Sequence, residues 1–295
     1  MVARADRTIP IDDVVNPGEG DALFLGAGDI ARCSEIEGAQ ATGDLIRALI
    51  VKYPEATVFT AGDNAYQRGT AGQFHDCYEP SWGSFNDRTV PSPGNHDYLS
   101  PRARPYFDYF DYYRSDPAAK ARGYYSFDLK DWHIVSLNSN IDMDAASPQV
   151  AWLKADLRES HKQCTLAFWH HPLFSNGDEH GAETGDPGRR TGELWKALED
   201  DHAEVIVNGH DHDYERFAPQ DRVQTASSDG IRQFVVGTGG AKTRGFLSPP
   251  RWANSEHQEL QHGVLVLTLG KSSYKWALLG TDGKALDSGA GECRE

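Results

Sequence analysis

The chain has 295 residues, enough for one large domain or two small ones and ample for a packed core. Hydrophobic residues make up 39% and aromatics 11%, which excludes disorder as the main state, and no apolar stretch approaches the roughly 20 residues of a membrane span. The formal net charge of −15, a pI near 5.2 and the lack of any Lys/Arg cluster argue against a nucleic-acid partner, which would ask for a basic stripe.

The opening "MVARADRTIPIDDVV" lacks the apolar run of a secretory signal, and residues 1–20 read as an N-terminal extension. Short β-rich runs ending in polar, Gly-containing clusters then recur: "DALFLGAGD" (21–29), "ATVFTAGD" (56–63), "RTVPSPGNHD" (88–97), "CTLAFWHH" (164–171) and "AEVIVNGHDH" (203–212). Apolar residues at helical spacing predict helices over 40–53 and 147–160, the second with Pro148 in its first turn, and another around Trp195. Strands alternating with helices indicate an α/β fold with a partly parallel sheet. "GYYSFDL" with "WHIVSLNS" (123–138), and later "GIRQFVVGTGG", "HGVLVLTL" and "SYKWALL", read as hairpins or meanders that add a second, mixed sheet. The expected architecture is two stacked mixed sheets flanked by helices, with residues 21–295 forming one domain. Segments 66–87, 175–192 and 213–230 are expected as long polar loops, often functional in a compact domain. "YFDYFDYY" (106–113) reads as a segment packed on the core, or else as a wall of the substrate cleft.

The four cysteines, Cys33, Cys77, Cys164 and Cys293, show no zinc-like spacing. An oxidised framework is favoured because Cys293 lies in a Gly-rich, polar tail that would otherwise fray. Of the three possible pairings, Cys33 with Cys77 and Cys164 with Cys293 is preferred. Such bonds suit a secreted or periplasmic protein.

In open α/β sheets, ligands gather beyond the carboxyl ends of strands. Successive strand ends here carry Asp29, then Asp63, then Asn95 with His96 and Asp97, then His170 with His171, then His210 with His212. Carboxylates mixed with imidazoles suit iron, zinc or manganese, and the donors outnumber what one ion requires. A carboxylate can bridge two ions, and paired ions serve displacement at phosphorus. Capping of polar turns accounts for any one of these residues alone but not for the ordered set.

That set, GD, GDNAY, GNHD, HHP and GHDH between about Asp21 and Phe217, resembles the calcineurin-like metallophosphoesterases, and within them the purple acid phosphatases. General members place a His two residues after the first Asp, where this chain has Ala31. Purple acid phosphatases carry a Tyr three residues after the second Asp, matched here by Tyr66. The resemblance implies a four-layer αββα sandwich. It implies a first metal held by Asp29, Tyr66 and His212, and a second by Asn95, His170 and His210, with Asp63 bridging. A phenolate ligand favours Fe(III) at the first position; Fe(II), Zn(II) or Mn(II) would fill the second. The implied reaction is hydrolysis of a phosphate monoester by a metal-bound hydroxide. Small or cyclic-nucleotide phosphodiesters are the alternative substrates, and a non-catalytic secreted binding protein on the same scaffold is the alternative class. His96 is expected to contact the phosphate and Asp97 to orient it, while His180, ten residues after His170, assists the leaving group. Asn64, His171 and Tyr214 are weaker candidates for substrate contact. His171 is expected to point away from the metals, because consecutive strand residues face opposite sides.

Overall fold

The computed structural model describes residues 15–180 and 191–294. Strands β1 (Ala22–Ala27), β2 (Ala31–Arg32), β3 (Thr57–Ala61), β4 (Ala65–Tyr66) and β5 (Thr89–Ser92) come from the first third of the chain. β1, β3 and β5 lie side by side and parallel. Ala27 sits opposite Thr60, and Ala61 opposite Ser92. That register brings the residues just past each strand, Asp29, Asp63 and Asn95, to one edge. β2 and β4 pair with each other and set Arg32 beside Tyr66.

The middle of the chain builds the second sheet from β6 (Tyr125–Leu129), β7 (Trp132–Ser136), β8 (Cys164–Phe168), β9 (Val205–Asn208), β10 (Tyr214–Phe217), β11 (Arg232–Val236) and β12 (Ser255–Glu259). Its order is β12-β10-β11-β9-β8-β7-β6, parallel at the centre and antiparallel at both sides. β13 (Gly263–Leu269), β14 (Ser273–Gly280) and β15 (Ala285–Glu292) then return to the first sheet, completing β15-β14-β13-β1-β3-β5. Both sheets are mixed, as expected.

Side-chain alternation explains the stacking. Leu166, Phe168, Val205 and Val207 point toward the first sheet, where Phe168 meets Phe24 and Phe59 at centroid distances of 5.7 and 5.9 Å. The intervening Ala167 and Ile206 pack with Val150, Leu153, Leu157, Leu194 and Leu198 of helices Pro148–Glu159 and Gly192–Asp200. Ser147 caps the first of these, accepting from Val150 N, with Pro148 at its opening turn. Helix Glu37–Lys52 buries Ile46 and Leu49 in the same core as the first sheet.

Both expected disulfides are present, Cys33–Cys77 and Cys164–Cys293. Two loop expectations fail. Segment 66–87 is largely helical, from Ala71 to Arg88, because Thr70 and Gln73 form a capping box and Phe74, Tyr78, Trp82 and Phe85 are buried at helical spacing. Within 213–230, Tyr214–Phe217 is a strand; its charged residues hid it, yet the Arg216 guanidinium is buried and paired with Asp287 and Glu256. Most of 175–192 lies outside the described residues. Tyr106, Phe107, Phe110 and Tyr113 pack into the core against neighbours such as Phe74 and Tyr125, as the first reading of that segment expects.

Candidate metal centre

Immediately past their strands, Asp29, Asp63 and His210 take left-handed backbone conformations, with φ of 61°, 50° and 76°. Each costs of order 1–3 kcal/mol for a non-glycine residue and persists only where the surroundings hold it. Here they do: Asp29 N donates to Gly62 O at 3.0 Å, and Asp29 Oδ2 accepts from His210 N at 2.8 Å. Gly209 makes the second bond possible, since a Cβ there would stand 2.6 Å from Asp29 Oδ2.

These turns aim two donor sets at neighbouring points. In the first, the Tyr66 hydroxyl lies 2.7 Å from Asp29 Oδ1 and 3.1 Å from His212 Nε2, and the latter two are 3.4 Å apart. In the second, His170 Nε2 lies 2.9 Å from Asn95 Oδ1, 3.2 Å from His210 Nδ1 and 3.4 Å from Asp63 Oδ1. A carboxylate oxygen of Asp63 lies within 4.8 Å of ligand atoms of both Asp29 in the first set and His170 in the second, so it stands between the two sets. Donors sharing one ion at about 2.0–2.2 Å sit roughly 3 Å from one another, and both sets match that spacing. His212 Nδ1 bonds Lys242 O at 2.9 Å and His170 Nδ1 bonds Ala61 O at 2.8 Å, which leaves Nε2 of each ring for the centre.

Electrostatics agree with bound cations. Asp29 and Asp63 are buried, and among the described residues their ion-pair partners are histidines alone. Burial, then the charges of Asp29 and Asp63, push the Tyr66 phenol well above its ordinary range. Burial depresses His170, but the adjacent Asp63 carboxylate outweighs it and raises the ring to about 9. His210 goes the other way, well below the usual imidazole range, through burial and the neighbouring His171 and His170. A multivalent ion at each set would offset the buried carboxylates and favour the deprotonated form of its ligands.

Three further histidines ring this cluster. His96 N donates to Asp63 Oδ1 at 2.8 Å, its Nδ1 bonds Gln67 O at 2.7 Å, and its ring lies 4.6 Å from that of Tyr66. The His180 ring stacks on His210 at 4.0 Å. His171 does not point away: its ring lies 4.4 Å from His210, and one of its nitrogens comes within 4.8 Å of those of His170 and His210. The alternation argument fails there because β8 ends at Phe168, and His170 and His171 lie in a bend beyond it.

Three expected roles need correction. Asp97 does not orient His96. Its Oδ2 accepts from Gly94 N at 2.9 Å and Asn64 Nδ2 at 2.9 Å, and it braces the turn after β5 against Asn64, just past β3. Burial and the Asp63 charge raise its carboxyl to about 7. Asn64 is fully buried, with Nδ2 donating to Asp97 and Ser92 O, so it supports that turn instead of facing substrate. Tyr214 is likewise buried and donates to Asp287 Oδ2 at 2.6 Å on β15. It belongs to the packing between sheets.

The supporting groups that sequence reading missed are mostly backbone carbonyls, which leave no mark in a sequence. Ser139 is one exception. Its hydroxyl holds His171 Nδ1 at 2.7 Å, and it sits just past β7, at another strand end where a search for polar residues finds it.

The fold, the strand-end donors and the ordered motifs define a metallophosphoesterase framework, and the chain belongs to the calcineurin-like phosphoesterase family, which it matches over residues 15–214. It is 26% identical over 226 residues to purple acid phosphatase 22 of Arabidopsis thaliana, covering 68% of this chain and 50% of that one. The chain therefore spans about half the length of that relative. Among solved structures, the purple acid phosphatase PPD1 from yellow lupin (Lupinus luteus) seeds superposes with a TM-score of 0.76 at 19% identity, over 92% of this chain and 54% of that one. GAP50, the anchor in the inner membrane complex of Plasmodium, shares the fold with a TM-score of 0.67 at 12% identity, over 93% and 90%.

Proposed function

We propose that the chain hydrolyses phosphate monoesters at a dinuclear metal centre. The observation that carries this reading is Asp63, whose carboxylate lies within 4.8 Å of both Asp29 of one donor set and His170 of the other. Asp29, Tyr66 and His212 would hold the first ion, and Asn95, His170 and His210 the second. Fe(III) suits the phenol at the first; Fe(II), Zn(II) or Mn(II) suits the second. When bound, such ions supply Lewis acidity toward the phosphoryl oxygens and a water ionised near neutral pH.

The chain's own groups complete the chemistry. His96, tethered through Nδ1 to Gln67 O, offers Nε2 to a phosphoryl oxygen beside Asp63. His180, stacked on His210, is placed to give a proton to the departing alkoxide. His171, fixed by Ser139, borders the same space as a substrate contact. No Ser or Cys nucleophile is needed. Residues 21–295 act as one catalytic domain, a reading supported by the pairing of β1 with β13, which ties the two ends of the chain into one sheet. The two disulfides support a secreted or periplasmic location.

The test is side-by-side assay of an aryl phosphate monoester, the corresponding diester and single-stranded DNA, together with metal analysis. The monoester should react fastest in protein holding two ions per chain. Faster diester turnover would move the substrate class; a metal-loaded chain inert toward all three would leave a binding role.

A further inference from the structure

His180 owes its place to two consecutive residues of the metal-ligand turn. The ring of His210 stacks on the His180 ring, with centroids 4.0 Å apart and planes at 23°. The next residue, Asp211, is buried, and its Oδ1 accepts the His180 backbone N–H at 3.2 Å. Within the same segment Ser175 Oγ accepts from Gly177 N at 3.0 Å. Segment 175–180 is thus folded around Asp211. The fit is close: a Cβ on Gly177 would lie 2.5 Å from Asp211 Cγ and Oδ1, too near to be tolerated without a shift. On the far side the segment is tied down by Asp178 N to Gly245 O at 2.9 Å and by the Glu179–Arg244 ion pair at 2.6 Å, while Arg244 N bonds His212 O at 2.9 Å.

We infer that Asp211 is a positioning residue for leaving-group protonation: it fixes the backbone of His180 while His210 fixes its ring. This rests on the proposed phosphoesterase reading and on His180 as the proton donor. Asp211 itself belongs to neither donor set. One dipeptide, His210–Asp211, therefore joins the metal centre to the leaving-group acid, and the small residue at 177 permits the join.

A proton donor matters most when the departing alkoxide is basic and little when it is a stabilised phenolate. That difference separates positioning from a general structural role. Asp211→Ala removes the acceptor, and Gly177→Ala forces the segment off it without altering any residue of the ligand turn. Each should lower kcat/KM for an alkyl phosphate at least about tenfold more than for p-nitrophenyl phosphate, with metal content unchanged. Asp211→Asn keeps an oxygen that accepts the His180 N–H and should restore the wild-type leaving-group dependence. His180→Ala should reproduce the Asp211→Ala pattern, and the double variant should lose little more than either alone. Amide exchange at His180 should accelerate in Asp211→Ala and Gly177→Ala. Equal losses on both substrates, or unchanged His180 exchange in both variants, would overturn the positioning role. A wild-type chain that cleaves neither ester would instead reject the phosphoesterase reading, and the exchange measurement would still decide the contact.

Discussion

Tyr66 is the residue through which the proposed first ion would be identified by eye. Its hydroxyl is buried between Asp29 and His212, and its ring packs on His96. A phenolate bound to Fe(III) absorbs visible light, so the oxidised, iron-loaded protein should be coloured and Tyr66→Phe colourless. Phenylalanine keeps the ring contact with His96, so loss of the band reports the hydroxyl alone; a coloured Tyr66→Phe protein would remove Tyr66 from the ligand set. The adjacent histidines offer a second test. Asn95 Oδ1 and His210 Nδ1 stand 2.9 and 3.2 Å from His170 Nε2, and these three complete a set with Asp63 without help from His171. His170→Ala should lose one ion per chain and most activity, while His171→Ala should keep both ions and raise KM several-fold. Metal analysis with the opposite result would exchange their roles. The donor set apart from Tyr66 was legible because each member follows a strand and ligands collect at strand ends; Tyr66, within β4, was legible only through the resemblance carried by GDNAY. The direction of His171 was not, since the rule relating neighbouring side chains lapses once the strand stops. Nor were the roles of Asn64, Asp97 and Tyr214, whose residue types suit substrate contact and buried bracing equally well.

At the scale of elements, the sequence revealed strands whose apolar runs are continuous and helices whose apolar faces repeat. It concealed β10, where charged side chains are buried in ion pairs, and the helical turns after Tyr66, where aromatic anchors sit among polar residues. β7 carries another buried polar device, remote from the metal centre. His133 Nε2 meets Asp156 of helix Pro148–Glu159 at 2.8 Å, and its Nδ1 meets Asp128 of β6 at 3.2 Å. Lys162 also approaches Asp128, at 3.5 Å, and the charge of Asp201, just past helix Gly192–Asp200, also acts on His133. Burial pulls the His133 pKa down, but its bonds to Asp156 and Asp128 win and raise it above the ordinary value. A raised histidine pKa gives stability that is fully present below about 6.5 and is lost as pH climbs through the folded-state value. Denaturation midpoints should therefore decline above neutrality by this contribution, and His133→Gln should flatten that part of the profile. An identical pH dependence in the variant would mean that the two ion pairs carry no net stability.

The whole molecule limits what the fold alone can say about activity. GAP50 shares this architecture and is described as an anchor, so the reaction must be argued from the donors and their neighbours. The whole molecule does dictate how its two disulfides differ. Cys164–Cys293 spans 129 residues and pins the tail after β15 to the first residue of β8, the end opposite His170. Cys33–Cys77 spans 44 residues and lies one residue past β2, whose Arg32 is paired with Tyr66. Closing loops of these lengths in the unfolded chain gives roughly 5 and 4 kcal/mol at most, with measured values commonly about 2–5. Replacing Cys164 and Cys293 together by Ser should thus lower stability by an amount in that range, read from denaturant unfolding, and leave metal stoichiometry and the visible band intact. Replacing Cys33 and Cys77 should cost a similar amount but also weaken binding of the first ion, because β2 and β4 would lose their anchor beside Tyr66. Metal loss from the Cys164/Cys293 variant, with the Cys33/Cys77 variant fully loaded, would show that the tail and not the β2–β4 pair supports the centre.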